Sequence, residues 1–96
     1  MPFRFGLVGA GRMGRNHIKA LAGSSVARVV AVADPSEEAL RGLDSPGISV
    51  YRFLGAMIDA GGIDGVIVCV PTTRHFETIE RIVSARLPIL AENHWA

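Results

Sequence analysis

At 96 residues, of which 49% are hydrophobic and 20% charged, the chain has the size of one small domain with enough apolar side chains to bury a core. Its net charge of +1, carried by scattered basic residues, gives no footprint for a nucleic-acid partner. No run approaches the ~18 to 20 apolar residues of a membrane span, Met1-Pro2-Phe3-Arg4 is no signal peptide, and Cys69 as the single cysteine excludes an internal disulfide or a Cys-rich zinc site, so a cytoplasmic protein is expected.

The apolar run Phe3 to Val8 predicts a first strand. It runs into Gly9-Ala10-Gly11-Arg12-Met13-Gly14, and from there Met13, His17, Ile18 and Leu21 recur at helical spacing until Ala22-Gly23-Ser24-Ser25 stops them. Ala27 to Ala33, broken only by Arg28, reads as a second strand covered on both faces. Asp34-Pro35-Ser36-Glu37-Glu38 predicts a short helix with an acidic first turn, running to about Leu43. Asp44-Ser45-Pro46-Gly47 is turn chemistry, followed by a third strand over 48–53 and a brief helix from Leu54 to Ala60, closed by Gly61-Gly62. Val66 to Val70 is the most strand-like run and contains Cys69, which reads as a buried, inert thiol. Pro71-Thr72-Thr73 breaks it. His75 to Arg86 predicts an amphipathic helix with Phe76, Ile79, Ile82 and Val83 on one face, and Pro88 to Ala91 a fifth strand ending at Glu92.

Strands alternating with helices predict a doubly wound parallel α/β sheet of order 3-2-1-4-5, with a ligand crevice beyond the carboxyl ends of strands 1 and 4. The glycine spacing between the first strand and helix is G-x-G-x-x-G. Gly9 would let the chain turn sharply, Gly11 would let backbone approach a pyrophosphate, and Gly14 would let the helix pack closely on the strand. The amide-rich, positive end of that helix suits an anion. Asp34 ends the second strand about 20 residues on, where a carboxylate would bind ribose hydroxyls. A plain glycine-rich turn, with Asp34 as no more than an N-cap, is the competing reading.

Four stretches in this order, Gly9 to His17, the strand ending at Asp34, Val70-Pro71-Thr72-Thr73-Arg74-His75 and Leu90-Ala91-Glu92, resemble the nucleotide-binding Rossmann half of the glucose-fructose oxidoreductase, inositol dehydrogenase and MocA-like family. The resemblance covers essentially the whole chain. It implies a dinucleotide-binding domain over residues 1–96 of a two-domain oxidoreductase that acts on a hydroxyl of a sugar, cyclitol or similar polyol, with the substrate-binding domain absent. It also implies that Gly9, Ala10, Gly11, Arg12, Met13 and Gly14 hold the diphosphate, Asp34 the adenosine ribose, and Pro71, Thr72 and His75 the nicotinamide side, with Glu92 at the same edge. A carboxylate on the ribose favours NAD over NADP, as does the lack of an arginine immediately after Asp34. Arg12 has a solvated alternative, His75 an alternative as a packing residue at a helix start, and His17 is expected to pack.

The family's fifth strand normally continues Glu-Lys-Pro, whereas this chain reads Glu92-Asn93-His94-Trp95-Ala96. Asn93 has no proton to relay near neutral pH, so no catalytic residue is assigned and turnover by this chain alone is not expected. Codons AAA-CCA-CTG-GGC for Lys-Pro-Leu-Gly become AAC-CAC-TGG-GC, Asn-His-Trp-Ala, on loss of one A, so a frameshift or sequencing slip at Glu92 is expected, with a genuinely short protein as the alternative, and the downstream DNA would decide it. An uncovered sheet edge and self-association are expected with it. Two other functions remain open: a non-catalytic dinucleotide-sensing module, and an S-adenosylmethionine-dependent methyltransferase, disfavoured by the full glycine motif.

Overall fold

In a computed structural model, which describes residues 2–70 and 75–91, the predicted alternation is realised as β1 (Phe3–Val8), α1 (Arg12–Leu21), β2 (Ala27–Ala33), α2 (Glu37–Leu40), β3 (Ser49–Tyr51), α3 (Leu54–Ala60), β4 (Gly65–Val68), α4 (His75–Ser84) and β5 (Ile89–Ala91). The strands form one parallel sheet in the order β3-β2-β1-β4-β5.

Both faces of the sheet are buried because neighbouring residues on each strand feed two different cores. Val8, Ala31, Ala33, Val66 and Val68 pack with Met57 of α3 and Ile82 of α4. Their neighbours Leu7, Val32 and Ile67 point the other way, onto Ile18 and Leu21 of α1 and Ala39 and Leu40 of α2. This double burial is why the carboxyl halves of β1 and β2 and all of β4 are apolar throughout and do not alternate. Leu7, Met57, Ile67 and Ile82 are sealed from solvent, each stabilising the fold by roughly 1.5–3 kcal/mol. Gly6 sits at an irregularity in the β1–β2 register, and a Cβ there would press on the Met57 thioether.

Four expectations are corrected. The second helix is a single turn: it starts after Ser36, whose hydroxyl accepts from the Ala39 amide at 3.1 Å, and it ends at Arg41, whose backbone has left the helical region (φ −59°, ψ 130°). Gly42, at φ 80°, lies just past its end. Cys69 is half-buried against the α1 side and not sealed inside. Among the described side chains of α4 only Ile82 is sealed; Phe76 and Val83 are 77% and 59% exposed. They lie roughly 100–120° around the helix from Ile82 at 3.6 residues per turn, beyond the arc the sheet covers. The third and fourth strands are also shorter than their apolar runs, ending at Tyr51 and Val68.

No described helix is long and apolar enough to cross a membrane. Among the described residues, no three His, Cys, Asp or Glu side chains are grouped to hold a metal ion.

Candidate functional site

Backbone hydrogen bonds carry the parallel ladder one step past the strand ends and gather the loops at one edge. The Gly9 amide donates to the Ala33 carbonyl at 2.9 Å, the Cys69 amide to Val8 at 2.8 Å and the Asp34 amide to Tyr51 at 3.0 Å. The turn after β1, the tip of β2 and the exit of β4 therefore stand side by side at the carboxyl end of the sheet.

The three glycines of the motif do different work. Gly9 has φ 99°, and a Cβ on it would collide with the Cys69 carbonyl. A Cβ on Gly14 would collide with the Gly9 carbonyl and crowd Leu7, so its absence lets α1 start against the end of β1. Gly11 differs. Its backbone is extended (φ −74°, ψ −165°), and a Cβ there would meet nothing within 4 Å. Packing and backbone conformation would both admit a side chain at Gly11; what the position preserves is the open space above the loop.

That space lies at the amino end of α1. Its first amides, those of Arg12, Met13 and Gly14, have no acceptor within the helix by position, and Gly11 as N-cap offers no side chain to take them. The first turn carries no acidic residue but does carry Arg12 and Arg15, cations placed at the positive end of the helix dipole. Arg15 is tied back by donating to the carbonyls of Ala39 and Arg41, at 2.7 and 3.1 Å. Arg12 and Met13 are exposed at the rim. An anion would relieve this concentration of positive charge.

Asp34 faces the mouth of the loop. Its Oδ2 accepts from the Ala10 amide at 2.8 Å, and its Oδ1 accepts from the Ser36 amide at 2.8 Å. One oxygen thus holds the carboxylate against the glycine turn, the other against its own loop. A cleft of about 210 Å³ opens there, lined by Val8 and Gly9, by Ala33, Asp34 and Pro35, by Arg52, Phe53 and Leu54 after β3, and by Val70 and Thr78. Larger hollows, of about 450, 480 and 280 Å³, lie over α2 and β3, along α1, and between α3 and α4. The first takes in the tip of β3, but none of them is lined by Gly9 or Asp34.

The structure therefore brings Gly9, Ala10, Gly11, Arg12, Met13, Gly14 and Asp34 together. His75 is the first residue of α4; Pro71, Thr72 and Glu92 lie outside the described residues. Three residues of the cleft were not singled out from sequence, Arg52, Phe53 and Thr78. Phe53 is 70% exposed. Arg52 donates through Nε to the Pro35 carbonyl at 2.8 Å, and its Nη1 lies 3.4 Å from Glu37 Oε1. The only sequence signal for it was position: the third strand of a 3-2-1 sheet must end beside Asp34.

These residues fit a dinucleotide: open space over Gly11, helix amides facing it, and a carboxylate at the neighbouring strand tip. Comparison with known proteins agrees. Residues 3–93 match the family described as "Oxidoreductase family, NAD-binding Rossmann fold". The chain is 47% identical over 90 residues to the rhizopine catabolism protein MocA of Rhizobium meliloti, spanning 94% of this chain and 28% of that protein. It is 41% identical over 92 residues to an inositol 2-dehydrogenase of the same species, spanning 96% and 28%. The fold superposes on the WlbA dehydrogenase of Bordetella pertussis, solved with NADH and UDP-GlcNAcA, with TM-score 0.88 at 28% identity, covering 97% of this chain and 30% of that one. The chain thus spans less than a third of the length of these relatives.

Proposed function

Because the chain belongs to the Gfo/Idh/MocA oxidoreductase family and has its NAD-binding Rossmann fold, we propose that it is the cofactor-holding part of a dehydrogenase acting on a hydroxyl of an inositol, sugar or similar polyol. The names of its relatives, inositol 2-dehydrogenase among them, support the substrate class. When bound, NAD supplies the hydride acceptor. The chain's own residues bind and orient it. The backbone of Gly9 to Gly14 takes the diphosphate, with Arg12 and Met13 at its rim. Asp34 exchanges part of its present hydrogen bonding for the adenosine ribose hydroxyls. Pro71, Thr72, His75 and Glu92 belong to the nicotinamide side of the same proposal.

The observation that carries this reading is the Asp34 carboxylate held on the Ala10 amide of the glycine turn, next to Gly11, where a Cβ would meet nothing within 4 Å. Gly11→Val tests it, since the protein has room for the side chain and the diphosphate does not. In calorimetric titration the wild-type chain should bind NAD, and Gly11→Val should weaken binding by about tenfold or more, a loss of at least ~1.4 kcal/mol, with its melting temperature close to wild type. Equal NAD affinity in the two proteins, or saturable binding of S-adenosylmethionine alone, would overturn the reading.

A non-catalytic dinucleotide-binding module is the second reading, favoured by Asn93 at the position where the resemblance calls for lysine. NAD binding without reduction in the presence of polyols, unrescued by Asn93→Lys in a chain carrying a substrate domain, would select it.

A further inference from the structure

Arg52 is the first residue past β3, and the β2–β3 register pairs Ala33 with Tyr51, so Arg52 emerges next to Asp34. Arg52 lines the same cleft as Asp34 and Pro35. One partner there is a backbone carbonyl, that of Pro35, and the other is the carboxylate of Glu37, whose side chain is 82% exposed. Such a solvated pair is weak. A guanidinium has five N–H donors, more than these two acceptors take up. The cleft that Asp34 lines thus also holds a cation, bonded to the carbonyl of the next residue, Pro35.

We propose that Arg52 is a determinant of dinucleotide choice in this chain: a latent receptor for a 2'-phosphate, kept out of use by the adjacent Asp34 carboxylate. The inference rests on the nucleotide-binding reading above. A 2'-hydroxyl can donate to Asp34. A 2'-phosphate carries about −1.5 to −2 charges at neutral pH and has no proton to offer there, so it is repelled by Asp34 while Arg52 would attract it. In sequence, Asp34 is followed by Pro35 and Ser36, and no arginine is adjacent. In space, the neighbouring strand delivers one. Removing the Asp34 charge alone should then open the site to NADP, with no new cation added.

The test is a set of titrations with NAD and NADP on the wild-type chain, Asp34→Ser, Arg52→Gln and the double variant, with thermal melts of each. Serine keeps an oxygen that can accept from the Ser36 amide, and Asp34→Asn serves as an isosteric second variant. The wild type should prefer NAD. Either Asp34 variant should raise the NADP-to-NAD affinity ratio by about tenfold or more, because the phosphate then meets a guanidinium donor and no longer faces a like charge. Adding Arg52→Gln should reverse that gain, costing NADP about tenfold more than it costs NAD. A double variant with the same ratio as the single Asp34 variants would overturn the inference, as would an Arg52→Gln single variant that by itself raises the NADP-to-NAD ratio. If the wild-type chain binds neither dinucleotide, the proposed function itself falls, and this inference with it.

Discussion

Gly11 and Gly14 have the same chemistry and opposite consequences. At Gly14 the missing Cβ is required by the protein, because the Gly9 carbonyl and the Leu7 side chain occupy the place it would take. At Gly11 nothing of the protein stands there. Gly14→Ala should therefore lower stability by about 1–3 kcal/mol through overpacking at the start of α1, read as an earlier midpoint in urea, whereas Gly11→Ala should move the midpoint little. A Gly14→Ala protein as stable as wild type would show that α1 can lift off β1 without cost. Asp34 is likewise specified by its contacts: gripping both the Ala10 and Ser36 amides, its carboxylate is oriented before any ligand arrives.

At the scale of elements, the edge of the sheet opposite the cleft is fastened by charge. Arg4 of β1 and Asp64, just before β4, form a two-pronged contact: Nη2 to Oδ1 at 3.0 Å and Nε to Oδ2 at 3.2 Å, with the Arg4 amide donating to Oδ2 at 2.8 Å. The side-chain hydrogen bond from Arg4 holds the Asp64 carboxyl below its usual range, the backbone bond adding to it, and the arginine is raised in turn. A depressed carboxylate contributes stability that is present above its unfolded pKa of about 3.9 and is lost as pH falls through the lower folded value. Asp64→Asn should therefore flatten the fall in melting temperature below about pH 4, and the effect should shrink in high salt because the pair is exposed. An unchanged acid profile would assign the loss of stability to other carboxylates. The same scale explains α4: its apolar residues span a wider arc than the sheet covers, so Ile82 is sealed while Phe76 and Val83 face outward.

For the whole molecule, β5 pairs only with β4 among the described residues, and Leu90 on it is 49% exposed. An edge strand carrying an outward leucine, together with Phe76 and Val83 on α4, is a surface that seeks cover. The chain on its own should self-associate, the apparent mass in light scattering rising with concentration, and Leu90→Lys should reduce that rise. A monodisperse monomer at high concentration would contradict this.

The glycine motif, the strand–helix alternation and the acidic tip of β2 were legible in sequence because each is local: a turn needs its glycines in place, and a strand buried on both faces must be apolar throughout. Strand order followed from the same pattern. Which face of α4 meets the sheet, where α2 begins, and how Cys69 is buried were decided by packing, since a helical stripe or an apolar run states a preference without stating how much surface is there to receive it. Arg52 is the clearest case. Nothing near it in the chain marks it, and only the lateral pairing of β2 with β3 sets its cation beside Asp34. Sequence by itself determined which elements form and that their carboxyl ends share one edge; the tertiary structure alone decided which side chains meet there, because those contacts run across strands through register and hydrogen bonding and not along the chain.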